Sequence, residues 1–491
     1  MVLQSNHKTP FVERHRTALR RTSLSRPLRL AVEQGIIAVG LTVFDYGCGH
    51  GDDIANLQSL GIASTGWDPV HRPGSPRLPS DVVNLGFVVN VIEHREERTA
   101  TLVSAWALAT RCLIISAQLT RDAVTSPVAE MNDGVLTRLN TFQKYFEHSE
   151  LKLWVESALE TRVVSLAPGV LCVFKDETLE ESFSVRQFRS RITVPRIRRS
   201  SSLYEQHRDL FDGLAAFVAS RGRLPADIEF ERSAELRSVS GSFKRAFQVI
   251  QSLGTSGEWE LIRARRTDDL LVYMALAAFN KLPRWSMVPQ DTQLDIAAFF
   301  GTYAKARERS SELLFSAGNN VVINSACTES RIGKLTPSAL YVHQTALDRL
   351  SPPLRVLEGC ARILVGQVDG ANLIKLHRHE HRVSYLAYPK FDEDPHPRLE
   401  RSVVVDLTKL RETYLDYRPR ANPPILHRKE TFVADDYPGA SKFRNLTRQE
   451  EAHSLLTETS TIGTADGWKA ALEARGLTLR GHRLIKIRVD E

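Results

Sequence analysis

The sequence predicts an α/β protein of more than one domain, opening with a doubly wound sheet. Strand-like and helix-like segments alternate through the first 185 residues. A glycine-rich turn at Gly47–Gly51 joins the first strand to the first helix. At 491 residues the chain exceeds what one hydrophobic core accommodates.

Residues 1–40 form a basic lead-in, read as helical over 13–35, with Arg14, Arg16, Arg20, Arg21, Arg26 and Arg29. Pro27 marks a break or a fresh helix start there. Residues 41–185 carry the sheet. Residues 41–46 read as an apolar strand, 52–60 as a helix, 62–67 as a second strand and 81–91 as a long apolar strand. An amphipathic helix over 96–109, a strand over 112–117 and a closing pair at 161–166 and 170–174 follow. Residues 186–203 are an arginine-rich linker. Residues 204–350 are mainly helical, with Leu210, Leu214, Phe217 and Val218, then Leu270, Tyr273, Met274 and Ala277, at helix spacing. Residues 351–491 read as an α+β domain: strands at 382–388 and 402–407, proline-punctuated loops, and helices at 447–456 and 465–475, the last capped by Thr464 or Asp466.

A formal charge of +7 favours an anionic partner. Cys48, Cys112, Cys172, Cys327 and Cys360 stand singly, which indicates neither a zinc ribbon nor a disulfide framework. The N-terminus has no apolar leader and no window is apolar enough to span a bilayer, so a cytoplasmic protein without a membrane partner is expected.

The glycines at 47, 49 and 51 let the backbone turn sharply and lie against a ligand. Their spacing is GxGxG, and Asp52-Asp53 stands where a dinucleotide fold has its third glycine. Two carboxylates suit a helix N-terminus but repel a pyrophosphate, so a sulfonium nucleoside fits better than NAD. Asp68, in Gly66-Trp67-Asp68-Pro69 after the second strand, is placed to accept from both ribose hydroxyls, with Trp67 or Pro69 walling the adenine. The expected cofactor set is Asp45, Gly47, Cys48, Gly49, Gly51, Trp67, Asp68, Pro69 and Asn90, and the expected cofactor is S-adenosylmethionine (SAM). Cys48 reads as a small packing residue.

These residues resemble class I methyltransferases with a Rossmann-like domain. The chain is similar, nearly end to end, to the methyltransferase family associated with DNA phosphorothioation. The strings that carry the resemblance are Arg16-Thr17-Ala18-Leu19-Arg20, Leu24-Ser25-Arg26-Pro27, Phe44–Gly51, Gly66–Pro69, Asn84–Glu93, Val383-Ser384-Tyr385-Leu386, Asp394-Pro395-His396-Pro397 and Asn422–Glu430. The resemblance implies SAM-dependent methyl transfer in the setting of a DNA sulfur-modification and defence system, with proteins of that system as partners. It supplies no catalytic residue.

The acceptor half is less legible. Asn90-Val91-Ile92-Glu93 lacks the Asn/Asp-Pro-Pro-aromatic motif of many amine-methylating DNA enzymes, and no Pro-Cys nucleophile follows a strand. Asn422-Pro423-Pro424-Ile425 resembles that motif without its aromatic; a proline-rich loop is the simpler reading. The candidate catalytic residues are Asn90, Glu93 and His94, the last two as general base or as caps of the next helix. Arg186, Arg189, Arg191, Arg196, Arg198 and Arg199 are candidate nucleic-acid contacts, or a solvated connector. His377, His379 and His381 share a face if strand-borne, with Asp392, Asp394, His396 and His427 near in sequence; a polar or phosphate-facing strand is expected, and no metal. Nucleic acid, DNA before RNA, is the expected methyl acceptor. A non-catalytic SAM sensor or assembly subunit, and a methyltransferase for small molecules or proteins, are the alternatives.

Overall fold

Short apolar runs between glycine and charged turns become the strands of a mixed sheet. β1 (Thr42–Tyr46), β2 (Ala63–Trp67), β3 (Ser80–Gly86) and β4 (Ala109–Ser116) run parallel. β5 (Val164–Ala167) and β6 (Val170–Phe174) form a hairpin, with β6 antiparallel to β4, in the order β2-β1-β3-β4-β6-β5. Helices α1 (Arg26–Glu33), α2 (Asp52–Ser59) and α3 (Arg95–Leu108) pack on these strands. Phe44, Val82, Val83, Leu85, Leu113 and Ile115 are fully buried, as expected of parallel strands covered on both faces. The result is a Rossmann-like sheet, and its reversed strand departs from the fully parallel dinucleotide-binding arrangement.

The structure, a computed structural model, describes residues 12–123, 129–192, 194–195, 202–254 and 257–487. They fall into two units, one running through Leu179 and including Arg362–Asp369, the other comprising Glu180–Ala361 and the chain from Gly370. In the first unit a helix missed in the sequence, α4 (His148–Leu159), precedes the closing hairpin. Its buried His148 accepts the Gly169 amide at Nδ1 (3.0 Å) and contacts Ser165 Oγ and the Leu364 carbonyl through Nε2 (both 3.1 Å). Burial pushes its pKa down to about 3, so it is a neutral structural residue.

Two expectations for the first unit need correction. Residues 13–35 are not one helix: a single 3-10 turn, Arg14–Thr17, is followed by irregular chain until α1, where Pro27 lies in the first turn. The strand read over 81–91 stops at Gly86. Phe87 adopts φ 58°, its amide donates to the Ser116 carbonyl, and Val88–Val91 form a turn. An apolar run does not distinguish a buried strand from a buried turn.

The second unit pairs a helical layer with a six-stranded antiparallel meander. Its helices include α5 (Arg208–Arg221), α6 (Glu258–Asn280) and α7 (Gln290–Phe300). The sheet runs β7 (Lys334–Leu335), β8 (Ala339–His343), β9 (Ala371–His377), β10 (Arg382–Ala387), β11 (Arg401–Asp406), β12 (Arg411–Asp416). It draws strands from both sides of residue 350. Two later helices, α8 (Ala440–Ala452) and α9 (Ala465–Glu473), complete the unit. Among the described residues no helix is long and apolar enough to cross a membrane.

Candidate functional site

A cleft of about 320 Å³ opens in the first unit at the carboxyl ends of β1, β2 and β3, where ligands bind in open α/β sheets. Asp45, Gly47, Cys48, Gly49, Trp67, Asp68 and Pro69 all line it. Gly51 and Asn90, expected beside them, do not. Gly51 caps α2 at φ 85°, and a side chain there would strike the Arg72 guanidinium. Asn90 is buried and donates to Gln143 Oε1 at 2.8 Å.

The glycine turn is closed by its own hydrogen bonds. The Gly47 and Cys48 amides donate to the Trp67 carbonyl at 2.8 and 3.1 Å, and the Gly51 amide to the Cys48 carbonyl at 2.9 Å. The Gly49 amide donates to Asp68 Oδ2 at 3.0 Å. Asp68 Oδ1 accepts the Val70 and His71 amides, so this carboxylate braces the turn against the end of β2. These amides are spent, leaving no nest for a pyrophosphate.

Asp52 and Asp53 take a role the sequence did not suggest. Asp52 accepts the Arg21 amide (2.7 Å) and the Arg20 guanidinium (3.1 Å), and Asp53 accepts the Ser25 amide at 2.7 Å. They pin residues 14–25 as a strap, and Arg14, His15, Thr17, Ala18, Leu19, Arg21 and Ser25 form a wall of the cleft. The strap's cations are neutralised locally. Arg14 binds Glu93 and Glu97, Arg16 binds Glu13, and Arg26 binds Asp369. No sequence periodicity encodes the contacts of Asp52, Asp53 and Arg14, whose partners lie 28 to 83 positions apart.

Asp45 forms the floor. Burial first, then the Asp53 charge, lifts its carboxyl to about 7, against the opposing hydrogen bond from Asn84 Nδ2 at 2.8 Å. Asn84 Oδ1, also buried, has no hydrogen-bond partner among the described residues. Burial pushes the Cys48 thiol to about 12, which fits a packing residue. Trp67 carries the Arg77 guanidinium 3.7 Å over its ring.

None of the three candidate catalytic side chains lines the cleft. Glu93 binds Arg14 Nε at 2.8 Å and is held below the usual carboxylate range: burial raises it, but the Arg14 hydrogen bond and charge prevail. His94 occupies the exposed N-cap position of α3 without a side-chain cap bond. Glu97, overlooked in the sequence, does line the cleft, paired with Arg14.

Elsewhere, Arg186 and Arg191 are exposed, whereas Arg189 is half-buried 3.6 Å from Asp295, which Arg221 and Arg223 also hold. Arg196, Arg198 and Arg199 lie outside the described residues. The shared histidine face is corrected: β9 ends at His377 and residues 378–381 form the bend into β10, so strand alternation stops there. His377 contacts Ser384 Oγ and His381 the Gly318 carbonyl. Asn422 Oδ1 accepts the Asp466 amide at the start of α9, a local bracing role.

Two solved structures are similar in part. One is a 1,6-didemethyltoxoflavin-N1-methyltransferase from Burkholderia thailandensis with bound 1,6-didemethyltoxoflavin and S-adenosylhomocysteine. It shares 16% identity over 30% of this chain and 76% of that one, with a TM-score of 0.24. The other is a SAM-dependent methyltransferase from Aquifex aeolicus, at 17% identity over 31% of this chain and 89% of that one, with a TM-score of 0.20. No family model and no curated protein matches the sequence. What the cleft does therefore rests on its own residues.

Proposed function

We propose that the cleft binds SAM and that the chain is a SAM-dependent methyltransferase acting on nucleic acid, DNA before RNA. The observation that carries the cofactor is the pairing of spent turn amides with a buried carboxyl floor. A phosphate finds the Gly47, Cys48, Gly49 and Gly51 amides already engaged, while a ligand bearing sulfonium and ammonium charges finds Asp45. The orphan acceptor Asn84 Oδ1 offers a further ligand N–H a partner. Asp68, with three of its roughly four acceptor sites taken by backbone amides, retains one for a ribose hydroxyl, Trp67 and Pro69 wall the base, and the volume suits a nucleoside with an amino-acid tail. Bound SAM supplies an activated methyl group. The chain's own residues orient it, and the strap shields it from water.

The nucleic-acid acceptor and the sulfur-modification partners rest on the family resemblance and the net charge of +7. Calorimetry with SAM, S-adenosylhomocysteine and NAD tests the cofactor: the first two bind and NAD does not. Transfer of labelled methyl to host DNA and RNA tests the acceptor, alongside mass spectrometry of nucleosides from cells with and without an intact Gly47–Gly51 turn. NAD binding in place of SAM sinks the cofactor reading. Confirmed SAM binding with no nucleic-acid labelling sinks the acceptor.

A second reading, a SAM-binding sensor or assembly subunit, is favoured by one observation: Glu93 and Glu97 are both engaged by Arg14, and Asn90 faces Gln143. Asp68→Ala tests both, since loss of SAM binding with an unchanged cellular phenotype supports neither catalysis nor sensing through this site; labelled methyl transfer by the intact chain separates them. An acceptor that is a small molecule or protein is marked by binding without the steep salt dependence of phosphate contacts.

A further inference from the structure

Three side chains from separate segments of the second unit converge below its sheet strands. His396 lies in the loop between β10 and β11, His427 in the loop after β12, and Glu450 on α8. One ligating atom from each lies within 4.8 Å of the others. His396 is 6% exposed and Glu450 is 0% exposed. The two imidazole rings are 4.5 Å apart, and Trp468 of α9 packs against both, at 4.5 and 4.6 Å.

Each imidazole is anchored through one nitrogen. His396 Nδ1 meets the Leu426 carbonyl at 3.2 Å, and His427 Nε2 meets the Ile462 carbonyl at 2.8 Å. A carbonyl accepts, so these nitrogens carry protons, and His396 Nε2 and His427 Nδ1 are the ring atoms left to face a metal. Among the described residues, those two atoms and both carboxylate oxygens of Glu450 have no hydrogen-bond partner. Yet His396 Nε2 stands 2.8 Å from Glu450 Oε1. Away from water that approach needs a positive charge between the two; a proton there would leave His427 Nδ1 and the second Glu450 oxygen unmet, whereas a metal ion engages all three side chains.

We propose that His396, His427 and Glu450 bind a divalent first-row transition cation of the zinc class. Two imidazoles and one carboxylate are a borderline N₂O set, unlike the all-oxygen cages of calcium or magnesium. Imidazoles fixed by backbone carbonyls through the far nitrogen are the usual support for metal ligands. Tetrahedral bonds of about 2.0–2.1 Å set ligand atoms roughly 3.3 Å apart, so the wider gaps close while His396 Nε2 and Glu450 Oε1, at 2.8 Å, move slightly apart. The cation cross-links Asp394–Pro397 and Asn422–Glu430, two irregular segments, to α8. The sequence alone led to the expectation of no metal. This site is independent of the SAM cleft.

The test uses the full chain. After purification without chelator and exhaustive dialysis, elemental analysis finds one zinc-class ion per chain. Cobalt(II) titrated into the chelator-stripped protein gives the intense visible bands of low-coordinate N/O ligation, and zinc(II) alone abolishes them by competition. Glu450→Gln weakens zinc at least about tenfold. Should that variant fail to fold, His427→Ala, at a half-buried position, reads the same loss, and the wild-type cobalt spectrum stands without either. Failure of the stripped wild-type chain to take up zinc or cobalt stoichiometrically overturns the proposal, as does a cobalt spectrum that both variants leave unchanged.

Discussion

Replacing Asp45 by asparagine separates the cost of a buried carboxyl from its use. In the ligand-free fold, burial and Asp53 raise this group from 3.8 to about 7. A raised acid stabilises the fold fully below its unfolded pKa. That contribution is lost as pH climbs toward the folded value, because the native state holds the proton longer than the unfolded chain. By pH 7 and above the penalty is on the order of 4 kcal/mol. A cationic cofactor reverses the balance, since only the ionised carboxylate pairs with it. Affinity for SAM then follows the ionised fraction, rising about sixteenfold from about pH 5.5 to 7, a window below the α-amino pKa of about 7.7–8.0, so the ligand's charge is constant. Calorimetry at about pH 6.5 in two buffers of different ionisation enthalpy should register proton release on binding. Asp45→Asn should bind SAM weakly and without that pH dependence, while melting higher than wild type at alkaline pH when ligand-free. A flat wild-type profile across the window, or an Asp45→Asn profile parallel to wild type, refutes the reasoning.

Other substitutions test the supports of the site and the fold. Gly47→Ala places a methyl at φ 82° and 2.5 Å from Val88 Cγ2. It should cost about 1–3 kcal/mol in urea denaturation and weaken SAM binding, with partial rescue by Val88→Ala. His148→Leu strands the Gly169 amide in the core of the first unit, while the Leu364 carbonyl keeps Ser165 Oγ; a loss of about 1–3 kcal/mol is expected by denaturation, with no change in SAM affinity once folded. In the second unit Asp269 accepts from Ser190, Arg266 and Arg355. Asp269→Ala leaves two buried guanidinium groups uncompensated and should lower stability by about 3–5 kcal/mol, read as a shift in denaturant midpoint. A midpoint within error of wild type would mean that those arginines find other partners.

Much of the first unit was legible because its signals are local. A strand, a glycine turn and a helix follow one another within Thr42–Ser59, and each is encoded by its own residues. The strand-end Asp68 sits close to where the spacing put it. Local signals failed where one residue's conformation overrides a run. Phe87 at φ 58° ends β3 amid apolar residues that read as strand, and it carries Asn90 and Glu93 away from the cleft with it. Such strain in a non-glycine residue persists only when its surroundings hold it, here through Ser116 on the neighbouring strand.

The sequence by itself determined the α/β character of the first domain, the glycine turn and the acids that flank it, since period and turn chemistry act over a few residues. Only the tertiary structure decided what those acids meet. Asp52 and Asp53, read as a barrier to phosphate, hold a strap that walls the cleft. His396, His427 and Glu450 are 31 and 23 positions apart along the chain and come together only when loops and a helix pack. Burial, and with it the charge state of Asp45, belongs to the folded chain, because desolvation depends on neighbours that the local sequence does not name.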